Sequence, residues 1–254
     1  MITSTLLMLL LGFSVGAFGT LIGVGGGFIL VPLFLLAFHW SPQHAVGTSL
    51  TIVLMNAVSG TFAYIRQRKV YYDAAIRFSL ATLPGAFIGS YLAQYFTSDS
   101  FRITFGVFLV GIAALMYFRS SAKQGNISFD EKTFSYNRPL GIGISVVVGF
   151  LSSILGIGGG IIHVPAMVYV LGFPAHVATA TSHFVLAISA FSGVISHYAL
   201  GNILLEPALT IGVGAVLGAQ FGARLSLKVK SPMILKLLAV ALLILGVRLV
   251  LIAV

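Results

Sequence analysis

Residues 23–32 read GVGGGFILVP, and residues 156–165 read GIGGGIIHVP. Seven of the ten positions are identical, and the second copy starts 133 residues after the first. Each of the glycines Gly25, Gly26, Gly27 and Gly158, Gly159, Gly160 weakens a helix by about 1 kcal/mol relative to Ala. In an apolar run such a break is tolerated where the freed backbone groups find partners inside the protein or in a wet cavity. Two breaks at matching positions of two halves point to the binding site of a membrane transporter.

The surrounding composition agrees with a membrane setting. Of 254 residues, 58% are hydrophobic and 7% charged, with a mean hydropathy of +1.08. Soluble domains carry about 25% charged residues. The chain has no Cys, which excludes disulfides, thiolate metal sites and thiol catalysis. Its net charge is +9, yet the basic residues sit in short loops between apolar runs. That distribution reads as topogenic and argues against a nucleic-acid partner. Attraction of an anionic substrate is a secondary effect.

The 133-residue offset holds well beyond the two motifs. Gly16 falls on Gly149; Ala45, Thr48 and Ser49 fall on Ala178, Thr181 and Ser182; Ser59 and Gly60 fall on Ser192 and Gly193. Asp73 falls on Glu206, and Gly85, Ala86 and Gly89 fall on Gly218, Ala219 and Gly222. The chain is thus an internal duplication: a first transmembrane repeat over 1–119, a polar cytoplasmic linker over 120–137, and a second repeat over 138–254. Each half holds five apolar segments, near 4–22, 27–38, 43–65, 73–96 and 101–119, then 138–155, 160–172, 175–198, 206–226 and 232–252. The first run lacks a basic leader and is read as a spanning segment. The second segment of each half, about a dozen residues, spans only about 18 Å of a 30 Å hydrocarbon core. Each is therefore a short, broken or re-entrant helix entered through glycines. Pro42 and Pro174 suit the first turn of the helices that follow.

Basic loops change places between the halves. Arg66, Arg68 and Lys69 fill one loop, and its counterpart at 199–205 has neither Lys nor Arg. The loop at 97–102 has Arg102 and Asp99, and its counterpart at 224–236 has Arg224, Lys228, Lys230 and Lys236. The expected fold is an all-α polytopic membrane protein of two inverted five-segment repeats, with the Gly-broken short helices at the repeat interface. Both termini then lie outside and the linker inside.

Several groups could meet a substrate. The glycine motifs either let helices pack closely or present amides at a helix start to an anion. The Gly85–Gly89 and Gly218–Gly222 faces read as packing surfaces. Thr48, Ser49, Thr181 and Ser182 either bond back to their own helices or donate to substrate oxygens. Asn56 lies two turns beyond Ser49 on the same face, with Ser189 as its counterpart. His163 replaces Leu30 and His183 replaces Leu50; each is a buried neutral imidazole or a proton carrier that meets an anion. His39, His44, His176 and His197 lie nearer segment ends and are expected at the interfaces. Asp73 and Glu206 suit first helical turns, and no carboxylate falls mid-membrane. The histidines show no HExxH pattern, and no cofactor or metal is implied.

These residues resemble the TauE/SafE sulfite exporter family. The likeness rests on the doubled G-x-G-G-G-x-x-x-x-P, on Gly47-Thr48-Ser49 and Ala180-Thr181-Ser182, and on the two glycine faces. It covers nearly the whole chain outside 120–137. It implies an inner-membrane transporter of small sulfur-containing anions: sulfite, thiosulfate, sulfoacetate or related sulfonates. No Walker motif is present, so secondary transport by alternating access is expected, with protons as a candidate coupling ion. A passive anion channel of the same build is the alternative. Neither HExxH, a rhomboid-type G-x-S-G nor a pair of membrane aspartates supports an enzyme.

Overall fold

The structure, a computed structural model, describes residues 2–119 and 134–253. Within them the chain forms α1 (Ile2–Ile22), α2 (Gly27–Leu36), α3 (Pro42–Arg66), α4 (Tyr72–Leu92), α5 (Ser98–Arg119), α6 (Arg138–Leu155), α7 (Gly160–Tyr169), α8 (Ala175–Ala199), α9 (Leu205–Ser226) and α10 (Ser231–Ala253), with one 3-10 turn at Ala93–Tyr95. Among the described residues there is no strand. Seven helices, all but α2, α4 and α7, are long and apolar enough to cross a membrane. The short α2 and α7 have ten residues each, and α4 has the length to span but carries Asp73, Arg77 and several hydroxyls. Pro42 opens α3, where the Ser41 side chain accepts from the His44 amide; Pro174 caps α8.

Helices pair across the halves. Gly12 and Gly16 of α1 lie against the backbone of Ile211 and Ala215 of α9, and Gly218 and Gly222 lie against Phe13 and Ala17, so the two helices run parallel. Gly85 and Gly89 of α4 lie in the same way against Val146, Phe150 and Ile154 of α6. Both glycine faces are packing surfaces, as the sequence suggests, because a side chain there would strike the neighbouring backbone. In α3 and α8 the order reverses: Gly60 packs on the His183 ring and Gly193 against Leu50, so these helices are antiparallel. α5 and α10 are antiparallel too, with Gly106 against Val250 and Gly246 against Val110.

The pair α3 and α8 forms the centre, with 72% of each span buried, whereas α5 and α10 are each 33% buried. Large apolar side chains such as Leu7, Phe62, Leu80, Leu217 and Ile244 point outward, as lipid-facing residues do. Of the linker 120–137, only 134–137 are among the described residues. Phe134 and Tyr136 pack edge-on against Tyr71. The Tyr136 hydroxyl donates to Asp73 Oδ2 at 2.9 Å. Arg77 and Arg138 pair with the same carboxylate at 3.0 and 3.3 Å. Burial, and then the hydrogen bond to Asp73, hold the Tyr136 phenol above its ordinary pKa range.

Candidate functional site

Each glycine motif forms the same turn. Gly23, Gly25 and Gly26 have φ of 81, 82 and 90°, and Gly156, Gly158 and Gly159 have φ of 72, 76 and 87°. Three left-handed residues in five suit glycine and penalise any side chain. The turn ends α1 and α6 and starts α2 and α7. Gly27 and Gly160 are already helical, and here a close approach excludes the side chain: an added Cβ would stand 2.6 Å from the Gly156 oxygen or 2.5 Å from the Gly23 oxygen. The two breaks therefore pack backbone to backbone, one from each half.

Hydroxyls tie these breaks across the halves. Ser49 Oγ donates to the Gly156 carbonyl at 3.0 Å, and Ser182 Oγ donates to the Gly23 carbonyl at 3.2 Å. Thr48 Oγ1 accepts the Leu204 amide at 3.0 Å, and Thr181 Oγ1 accepts the Tyr71 amide at 3.0 Å. Every partner of one pair sits 133 residues from its equivalent in the other. None of the four hydroxyls bonds back to its own helix. All four residues are fully buried.

The helix starts carry amides in reserve. The first amide bonds of α2 and α7 run from Ile29 to Gly26 O at 3.0 Å and from Ile162 to Gly159 O at 3.1 Å. Among the described residues, the amides of Gly27, Phe28, Gly160 and Ile161 donate to no carbonyl. A helix N-terminus of this kind attracts negative charge.

Asn56 and His183 meet at the centre. Thr20 Oγ1 donates to Asn56 Oδ1 at 3.1 Å and lies 3.3 Å from His183 Nε2. Asn56 Nδ2 donates to the oxygens of Gly16 and Ala215 at 3.0 and 3.2 Å. Tyr64 donates to Thr20 O at 2.7 Å and meets the His183 ring edge-on. His163 is apart from this group. Its Nε2 lies 3.0 Å from Ser145 Oγ, and its ring stacks on Phe78 at 6.0 Å. Thus the structure joins the two glycine breaks to Ser49 and Ser182 and, through Thr20, joins Asn56 to His183; it turns Thr48 and Thr181 to the backbone just before α9 and α4, and sets His163 on the side of α7 that faces α6 and α4.

His197 differs from the sequence expectation. It is buried inside α8 rather than interfacial: Nε2 lies 3.1 Å from the Ser153 carbonyl and Nδ1 3.1 Å from Asn202 Nδ2. The offset explains it, since His197 replaces Tyr64 and Ser153 replaces Thr20, and the side-chain-to-carbonyl bond is kept with a different donor. Thr20 and Tyr64 are not singled out by the sequence because neither is identical between the halves; the 133-residue offset, which pairs Tyr64 with His197 and Thr20 with Ser153, is the signal that could find them.

A family model described as "Sulfite exporter TauE/SafE" matches residues 8–249. The chain is similar to "Probable membrane transporter protein YunE" of Bacillus subtilis, 34% identical over 97% of either chain. It is similar to "Probable membrane transporter protein MJ0441" of Methanocaldococcus jannaschii, 28% identical over 91% of this chain and 90% of the relative. "Probable membrane transporter protein YfcA" of Escherichia coli is 29% identical over 85% of this chain and 80% of its own. No solved structure matches.

Proposed function

The chain belongs to the TauE/SafE sulfite exporter family and is a multi-pass membrane transporter, not an enzyme; from that premise we propose that it carries small sulfur-containing anions by alternating access. Sulfite, thiosulfate, sulfoacetate and related sulfonates are the substrate class, and the inner membrane is the location. The observation that carries the reading is the pair of reciprocal bonds, Ser49 to Gly156 O and Ser182 to Gly23 O, which join the two glycine breaks face to face. Separation of the halves on one side frees both hydroxyls and exposes the amides that open α2 and α7. An oxyanion then accepts hydrogen bonds from Ser49, Ser182 and the amides of Gly27 and Gly160, and charge-assisted bonds to such donors are stronger than neutral ones. Asn56, Thr48 and Thr181 hold this arrangement from behind.

The antiparallel packing of α3 with α8 and of α5 with α10 supports an inverted repeat, with both termini outside and the linker in the cytoplasm. His183 and His163 are buried ionisable groups and serve as proton carriers for coupling. Binding of sulfite, thiosulfate, sulfate and a C2 sulfonate to the purified protein tests the substrate class. Saturable binding of a sulfur anion that weakens in both Ser49→Ala and Ser182→Ala is expected. Absence of binding to all four anions would overturn the proposal.

A further inference from the structure

The polar core is built twice, and the two copies are not filled alike. In the first half the buried Asn56 uses its amide nitrogen on Gly16 O at 3.0 Å and Ala215 O at 3.2 Å, and its amide oxygen on Thr20. Ser59, one turn on, donates to Val216 O at 2.8 Å and accepts from Gln220 at 2.9 Å. Thr20, Asn56 and Ser59 are thus all satisfied by protein.

In the second half the equivalent positions hold Ser153, Ser189 and Ser192, and Gln220 corresponds to Phe87. Gly149 and Thr82 correspond to Gly16 and Ala215. The helix crossing is the same: an added Cβ on Gly149 would strike the Thr82 backbone, as one on Gly16 would strike that of Ala215. Thr82 turns its own hydroxyl away, to Ser79 O at 2.7 Å. Ser153, Ser189 and Ser192 are no more than 3% exposed, yet none of their hydroxyls has a partner. Ser153 Oγ faces α8, where an added Cβ on Gly193 would lie 2.7 Å from it.

Asn to Ser and Thr to Ser together remove an amide and a methyl group from buried space. The polar groups that remain there are oxygens, three hydroxyls and the carbonyls of Gly149 and Thr82 that correspond to those bound by Asn56, and the Leu50 side chain stands beside Ser153 Oγ. The neighbouring His197 Nε2 is engaged by the Ser153 carbonyl at 3.1 Å. Among the described residues, no Lys, Arg, Asp or Glu is buried. Where the first half places an N–H₂ group between two carbonyls, the second half therefore calls for a positively polarised guest. An anion would find carbonyl oxygens there. A divalent cation would be left without a carboxylate to balance it. Hydroxyl and carbonyl oxygens beside a broken helix suit a hard monovalent cation.

We propose that Ser153, Ser189 and Ser192, with the carbonyls of Gly149 and Thr82, form a Na⁺ site confined to the second half. This goes beyond the transport reading and is independent of which anion is carried, because Na⁺ binding is measured with no sulfur anion present. The test is thermal melting of the purified full chain in NaCl, KCl and choline chloride at equal ionic strength, alongside binding of ²²Na⁺. Na⁺ alone should raise the melting temperature, saturably and by a few degrees. Ser189→Asn returns the amide of the first half; it should melt in choline chloride no lower than wild type and lose both the Na⁺ shift and ²²Na⁺ binding. Ser153→Ala removes a hydroxyl that holds nothing else, so it should fold and bind Na⁺ at least several-fold more weakly, which decides the matter if Ser189→Asn does not fold. Equal melting of wild type in the three salts, with no ²²Na⁺ bound, would show that the space takes water only and overturn the site. Full retention of the Na⁺ shift in Ser153→Ala would overturn it equally.

Discussion

Val53 and Leu186 occupy equivalent positions of the two halves, and both side chains lie against both glycine breaks. An added Cβ on Gly25 would meet Leu186 and Val53, and one on Gly158 would meet the same pair. The space between the breaks is therefore closed by two apolar side chains, which are 0 and 1% exposed. In the transport reading this pair seals the path until the halves separate.

Leu186→Ala should then have two effects. Truncating a buried Leu costs about 2–5 kcal/mol, seen as a lower melting temperature. Passive anion flux through the variant in liposomes should rise above wild type, with a smaller rise for Val53→Ala. Flux equal to wild type in both variants would make the pair packing residues only.

The threonines give a symmetric prediction about stability. Thr48→Val and Thr181→Val each leave a backbone amide, of Leu204 or Tyr71, without its hydroxyl acceptor. The expected cost is about 1–3 kcal/mol each, and Thr→Ser at either position should restore most of it. Melting of the four variants checks this. Wild-type stability of both Val variants would remove the bonds from the account of the fold.

Glycines in the breaks should behave unlike those in ordinary helix. At Gly26 and Gly159 a left-handed φ makes Ala cost about 1–2 kcal/mol, and the added methyl would press on Val15 or Val148. Gly111 and Gly143 are helical with open space around the added carbon. Ala there should be neutral or stabilise by up to about 1 kcal/mol. Folded Gly26→Ala or Gly159→Ala protein should also bind the anion more weakly, read by titration on monodisperse samples. Wild-type affinity in both would take the breaks out of the site.

The sidedness of the halves is open to direct labelling, because the chain has no native Cys. Arg66 and Ala199 are exposed and equivalent by the 133-residue offset, at the ends of α3 and α8. With Cys at either position, an impermeant thiol reagent applied to intact cells should label position 199 and spare position 66. Equal labelling would contradict the inverted arrangement.

What the sequence conveyed was local. Glycine triplets, apolar runs and the prolines at 42 and 174 fix the breaks and the helix starts through backbone preference and hydropathy, which need no partner. The destination of side chains was not legible. Ser49 and Ser182 gave two open readings, back-bonding or substrate, and the structure shows a third, a carbonyl of the opposite half. His197 looked interfacial from its place near a segment end, yet packing with α6 buries it. Such contacts depend on which helices meet, and identity between the halves marks them only where the residue type is repeated.

Counterflow tests the central claim most directly. Liposomes bearing the purified protein are loaded with unlabelled thiosulfate or sulfite and diluted into a trace of the labelled anion. A carrier that alternates access should accumulate label transiently above its equilibrium level, and Ser49→Ala with Ser182→Ala should abolish the overshoot. Label that rises to equilibrium without overshoot, or does not enter at all, would contradict alternating access of sulfur anions at the paired glycine breaks.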